Sequence, residues 1–210
     1  MKEPDNGILW DQLIELLRPV HERALATARR LCRQPEDGDD LYHDAVLRAF
    51  QKLPSLRDEA KFRSWFFAVL LSLHRSRHRR AFWKRFVSLE EMLPDDEPIV
   101  GGGDGEEWRR ADRATKALAS LKPEQREAVV LFEIEGFRIE EIAAMQKASV
   151  SAVKSRLVRG RDNLRRYYVR QGWMGPATRA TDGAREAPAE VPVWARSSSP
   201  GLVRRRGCDE

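Results

Sequence analysis

Apolar residues recur along this chain at intervals of three and four, with no convincing stretch in strict alternation. Leu13, Leu17, Val20, Ala24, Ala28 and Leu31 keep that spacing, followed by Leu41, Ala45, Ala49 and Leu53. Phe62, Trp65, Phe66, Val69, Leu70 and Leu73 repeat it, as do Ile139, Ile142 and Ala143, then Val150, Val153 and Leu157. A 3.6-residue period lays one apolar stripe along a helix, whereas a half-buried strand needs a period of two. The chain is therefore expected to be all-α.

Breaks in the pattern set the organisation. Pro19 predicts a kink or break, and Gln34 to Asp40 a turn leading into an acidic helix start that suits the helix dipole. Pro54 to Ala60 is expected to be a polar loop, and Pro123 stands near a helix start. Pro94 to Glu107 (PDDEPIVGGGDGEE) combines Pro, Gly and acid and forms the densest part of a flexible acidic linker assigned to residues 87–107. Two small helical domains flank it, over residues 8–86 and 108–170. Residues 171–210 hold four Pro, five Gly and a Ser triplet without periodicity, and are expected to be a disordered tail.

Charge is arranged in blocks that the net value of +5 conceals. Lys61 to Arg85 holds eight Lys or Arg, two His and no acid, whereas Phe86 to Asp112 holds nine acids against two Arg. Lys147 to Arg170 turns basic again, with eight Lys or Arg and the single acid Asp162. Two basic surfaces separated by an acidic spacer suit two contacts on one polyanion. No apolar run reaches the roughly 18 to 20 residues that span a bilayer, and the N-terminus lacks the pattern of a signal peptide. Cys32 and Cys208 are far apart and form neither a disulfide framework nor a zinc set, which points to a cytoplasmic protein.

The stretch GFRIEEIAAMQKASVSAVKSRLVRGRDNLRR, Gly136 to Arg166, reads as two short helices joined by a tight turn. Gly136 can end the preceding helix and Ser149 can cap the second. A short helix bracing a basic one is the helix-turn-helix arrangement for the DNA major groove. Lys154, Ser155, Arg156, Arg159 and Arg161 are the candidate contacts, those near the helix start for base edges and later ones for phosphates. Lys147 occupies a turn position that a glycine would fill more comfortably.

Between Lys61 and Phe86 aromatics interleave with cations: Phe62, Trp65, Phe66 and Phe67, then Phe82, Trp83 and Phe86. Such an arrangement can stack unpaired bases, although the helical spacing of Phe62, Trp65 and Phe66 assigns those three to the core. His74 and His78 stand four apart, a spacing that could hold a metal, but no third ligand is evident and the neighbouring arginines would repel a cation. No metal, cofactor or catalytic constellation is expected.

DDLYHDAVLRAFQKL (Asp39 to Leu53) followed by FRSWFFAVLLSLHRSRHRR (Phe62 to Arg80) resembles region 2 of the sigma-70 family. LKPEQREAVVLFEIEGFRIEEIAAMQKASVSAVKSRLVRGRDNLRR (Leu121 to Arg166) resembles region 4. Both occur in the order and spacing of the extracytoplasmic-function (ECF) sigma factors, and the resemblance covers about Ile8 to Arg170. It implies a promoter-recognition subunit of RNA polymerase rather than an enzyme. Asp40, Leu41, His43, Asp44, Leu47 and Arg48 would dock on the polymerase beta-prime clamp helices, and region 4 would also grip the beta flap. Ser55, Arg57, Lys61, Ser72, His74, Arg75, Arg77, Arg79 and Arg80 would capture the opened −10 strand. Ser149, Ser151, Ala152, Lys154, Ser155, Arg156, Arg159 and Arg161 would read the −35 duplex. An anti-sigma factor is a further partner implied by the resemblance. Departures from the family pattern are His43 for Gln, Ser72 for Asn, Ser76 for Asp, Ala152 for Thr, and Gln146-Lys147 for an apolar-Gly pair. A conventional operator-binding regulator would leave Asp39 to Leu53 unexplained, and a sigma-like module that sequesters an anti-sigma factor would support no transcription.

Overall fold

The computed structural model describes residues 6–87 and 105–174, with the backbone alone over residues 81–87 and at residue 107. Among them it holds eight α-helices and no strand. The first unit comprises α1 (Asn6–Leu17), α2 (His21–Leu31), α3 (Pro35–Lys52) and α4 (Phe62–Val87). The second comprises α5 (Glu106–Ala119), α6 (Pro123–Val129), α7 (Ile139–Gln146) and α8 (Val150–Arg170). The expected polar loop after α3 is wound into two short 3-10 turns, Leu53–Ser55 and Glu59–Lys61. Most of the expected linker and the tail beyond Met174 lie outside the described residues.

Local chemistry accounts for the boundaries. Pro35 starts α3, where its missing N–H has no intrahelical partner to lose, and Glu36 and Asp37 place negative charge in the first turn. Pro123 and Glu124 start α6 in the same way. After α6 the chain widens into a π-turn over Val130–Ile134, with Glu135 N–H donating to Val130 O at 3.0 Å. Gly136, at φ 70°, then turns the chain left-handed, which an L side chain adopts only with strain. At the other end of α8, Trp173 folds back edge-on to Tyr167 and Tyr168, so the first residues of the expected tail pack against the domain.

Helices α2 and α3 approach so closely that only glycine fits at position 38. A Cβ there would stand 2.4 Å from Arg29 Cα and 2.7 Å from Arg29 N. Ala24 and Ala28 on α2 and Ala45 and Ala49 on α3 carry the same logic, small residues that are fully buried. Arg29 clasps Asp39 beside this contact, at 2.6 and 3.0 Å. The bidentate bond holds the Asp39 carboxyl below the usual carboxylate range. Cys32, just after α2, is half-buried, and burial pushes its thiol up to about 11.

The two units share one continuous apolar core. Phe67 of α4 meets Phe137, ahead of α7, edge-on at 5.1 Å, and the Arg63 guanidinium lies 3.9 Å from the Phe137 ring centre. Phe67 is thus core at the seam rather than a stacking platform. Polar groups knit the rest of this seam. Glu135, 4% exposed, accepts from Thr27 Oγ1 at 2.8 Å and lies 3.2 Å from Arg23 Nε and 3.5 Å from Arg63. Arg126 of α6 donates to Leu31 O, the last carbonyl of α2, and to Ala119 O. Burial, with Arg33 adding repulsion, lowers its guanidinium to about 10.

Three buried side-chain atoms among the described residues lack a hydrogen-bond partner: His74 Nε2, Arg126 Nε and Glu135 Oε2. The Glu135 oxygen is close to Arg23 and Arg63, but neither N–H is aligned on it, so Coulomb attraction acts there without a hydrogen bond. All three lie at the seam, and each unmet group costs about 1–3 kcal/mol.

Candidate nucleic-acid interface

Helix α8 buries Val153, Leu157, Gly160, Leu164 and Tyr168, the three-and-four spacing that seats it on α6 and α7. Gly160 is required by that seat, because a Cβ would stand 2.8 Å from Val129 Cγ2. The N-terminus is fixed by Ser149, whose Oγ accepts from Ala152 N–H at 3.2 Å and lies 3.0 Å from Ser151 Oγ. The turn before it places Lys147 at φ 50° and ψ 48°, so a lysine holds the left-handed position expected to favour glycine. Gln146 is buried: its amide N–H donates to Glu127 Oε2 at 3.0 Å and Glu124 O at 3.1 Å, while its carbonyl accepts from Arg156 at 2.8 Å. The two departures from the family pattern are thus one local solution. The polar side chain at 146 is fully bonded, and the strain rests on Lys147.

Of the residues expected to meet duplex DNA, Ser149, Ser151, Lys154, Ser155 and Arg159 are exposed along one side of α8. Ala152 is half-buried at the capped start. Arg156 is half-buried and tied to Gln146. Arg161 reaches back to Glu133 at 2.7 Å, with its guanidinium 5.5 Å from the Phe132 ring centre. Exposed Val158 interrupts the polar face.

A groove between α3 and α4 is lined by Asp44, Leu47, Arg48, Ser72, Ser76 and Arg77, among others. Arg77 spans it, donating to Asp44 and to Asp37 O. Of the residues expected to meet the opened strand, Ser72, Arg79 and Arg80 are exposed on α4. Ser55, Arg57 and Lys61 are exposed on the turns that precede it, where Ser55 Oγ donates to Lys52 O and Lys61 pairs with Asp58. His74 and Arg75 do not face this surface. His74 is 2% exposed, with Nδ1 2.9 Å from Glu127 Oε1. Arg75 donates to Gln146 O at 2.7 Å and Met145 O at 2.6 Å, the carbonyls at the C-terminus of α7. A cation is favoured at a helix C-terminus, and this one is spent there. Phe82, Trp83 and Phe86 have side chains outside the described part.

On α3, Asp40, His43, Asp44, Leu47 and Arg48 form one exposed strip at the three-and-four spacing, with Leu47 54% exposed. Leu41 does not belong to it, being fully buried against α2 and α4 as a core residue. Sequence reasoning missed the acids that organise the seam, Glu127 and Glu135. Glu127 carried no local signal, since it follows Glu124, Gln125 and Arg126 and only precedes the apolar run Ala128 to Phe132.

His74 and His78 stack edge-on at 4.8 Å, and burial lowers the His78 imidazole, with His74 and Arg126 adding repulsion. Among the described residues no cluster of three His, Cys, Asp or Glu could hold a metal ion, and no helix is long and apolar enough to cross a membrane.

The structure thus pairs a helix-turn-helix that has an exposed basic face with a second helical unit that has a basic helix and a polar groove. Comparison with known proteins narrows this. Residues 16–84 match the model of sigma-70 region 2, and residues 111–164 that of sigma-70 region 4. The ECF RNA polymerase sigma factor SigM of Mycobacterium tuberculosis is 32% identical over 72% of this chain and 74% of its own length. SigE of Mycolicibacterium smegmatis is 32% identical over 77% of this chain, which spans 62% of that relative's length. Among solved structures, the sigma factor RpoE of Bartonella quintana, in complex with the anti-sigma factor NepR, superposes with a TM-score of 0.61 at 25% identity, over 72% of this chain and 92% of that one. CnrH in complex with the cytosolic domain of CnrY gives 0.50 at 29% identity, over 77% and 95%. The chain belongs to the ECF sigma factors of the sigma-70 family.

Proposed function

We propose that this protein directs core RNA polymerase to specific promoters and stabilises the melted DNA there, with the two units dividing the task. The exposed strip Asp40, His43, Asp44, Leu47 and Arg48 docks on the polymerase. Lys154, Ser155 and Arg159 on α8 face the −35 duplex, and the groove around Ser72, with Arg79 and Arg80, takes the opened −10 strand. The observation that carries this reading is the pairing of two surfaces in one chain: a serine-capped helix with a one-sided basic face, and an α3 strip that leaves Leu47 in solvent. The chain supplies no chemistry of its own, since polymerase performs the catalysis, and it works in the cytoplasm, where polymerase is. An anti-sigma partner is part of this reading, because two solved neighbours are held by NepR and CnrY.

The test is reconstitution. The purified chain added to core polymerase should give promoter-dependent transcripts whose start sites share elements at two upstream positions. Binding to an operator fragment without any dependence on polymerase would refute the reading.

A further inference from the structure

We propose that Arg156 and Arg161, two of the α8 cations expected to meet duplex DNA, are positioning residues that fix the angle of α8 about its own axis and do not themselves touch the promoter. The inference rests on the promoter-directing reading above and concerns the same helix. At about 100° per residue, the buried stripe Val153, Leu157, Gly160 and Leu164 has Arg156 on one side of it and Arg161 on the other. Lys154, Ser155 and Arg159 lie on the outward arc between those two flanks. Each flank is tied down. Arg156 Nη1 donates to Gln146 Oε1 at 2.8 Å, and buried Gln146 is itself anchored on Glu127 Oε2 at 3.0 Å and Glu124 O at 3.1 Å. Asn163, one heptad beyond Arg156 and so on the same flank, donates to Gln125 Oε1 at 2.9 Å. On the opposite flank Arg161 Nε donates to Glu133 Oε1 at 2.7 Å, and the Glu133 side chain is mostly buried.

Gly160 against Val129 sets how near α8 lies to α6, which leaves rotation as the freedom still to be fixed. Apolar contact is non-directional and resists a small roll weakly, whereas a hydrogen bond is lost as its angle and length change. Ties on opposite flanks oppose a roll in either sense. A roll of about 15° moves a side-chain atom roughly 6 Å from the axis by about 1.5 Å, enough to break a hydrogen bond to a base edge. Neither arginine is free to leave its partner for DNA. If Arg156 turned to a base or phosphate, the buried Gln146 carbonyl would go unmet. If Arg161 did so, a mostly buried Glu133 carboxylate would stand unpaired beside the phosphates.

Promoter and random-sequence affinities of the full chain bound to core polymerase, measured across salt concentrations, test this. Arg156→Met and Arg161→Met keep the length of the side chain and remove the tie. Each should lower the ratio of promoter to random-sequence binding by about tenfold, the size of one mismatched base pair, with the loss spread over every base pair that α8 reads. The slope of log K against log salt should stay at the wild-type value, whereas a lost phosphate contact would take about one from it. The charge-swapped double variant, Glu133→Arg with Arg161→Glu, should restore most of the ratio, although α8 has then lost its cation. A slope reduced by about one in either methionine variant would overturn the positioning role. So would a preference lost at a single base pair, or a swapped pair no better than Arg161→Glu alone. If circular dichroism shows that a methionine variant has lost helix, the swapped pair decides alone. If the wild type with polymerase prefers no sequence to random DNA, the promoter reading fails and this one with it. A wild-type preference that every variant retains removes only the positioning role.

Discussion

Gly38→Ala isolates the contact on which the α3 strip is mounted. The added methyl would sit 2.4 Å from Arg29 Cα, 2.7 Å from its amide nitrogen and 2.9 Å from its Cγ. Two of these three are backbone atoms of a neighbouring helix, so no rotamer change relieves the clash. Helices α2 and α3 must part by about 1 Å to restore ordinary carbon contact near 3.5 Å. Overpacking of this kind costs about 1–3 kcal/mol, and the upper end applies because backbone blocks relief. The opposing effect is helix propensity, since Ala in place of Gly favours α3 by up to about 1 kcal/mol. Parting also loosens the Arg29–Asp39 clasp beside it, an exposed pair whose contribution is small. The balance is a loss of about 1–3 kcal/mol, read as a lower midpoint in urea unfolding of the full chain. Polymerase affinity should fall with it, because Asp40, Asp44 and Leu47 ride on the displaced helix. A midpoint equal to or above wild type would show that the approach of α2 to α3 is not as close as described, and would remove the reason for a glycine there.

Two further outcomes follow from α8 and its turn. Lys154→Ala should weaken promoter binding by the polymerase complex uniformly across sequences and reduce the salt slope, log K against log salt, by about one, as for a lost phosphate contact; an unchanged slope would move Lys154 off the DNA. Lys147→Gly should stabilise the second unit by about 1 kcal/mol, because a lysine at φ 50° bears a left-handed strain that glycine lacks, although the freer unfolded chain offsets part of the gain. A lower thermal midpoint for that variant would refute the assignment of strain to this residue.

The helices and their caps were legible because each is written in local chemistry. Val153 and Leu157 sit where the period puts them, Ser149 caps α8, Gly136 turns left-handed, and the strain expected at Lys147 is present. The seam was not legible, and the reason is physical. A residue in a basic run looks the same whether it meets water, phosphate or a buried partner, so His74 and Arg75 read as DNA contacts while the fold turns them inward. Leu41 stands among the charged residues of the α3 strip in sequence, and only its burial separates it from them. The pairing of Glu127 with His74 spans 53 residues, and that of Glu135 with Thr27 spans 108. No local period carries such information.

The π-turn at Val130–Ile134 acts as a phase shifter. One extra residue in a winding helix advances everything after it by about 100°, the angle of a single α-helical step. Leu131 lies in the core before the shift takes effect, and Glu135 and Phe137 emerge aimed at α2 and α4. Deleting one residue there would return the chain to α register and swing Glu135 away from Thr27 and Arg23. How the two halves of this protein meet is therefore written in one residue's worth of winding.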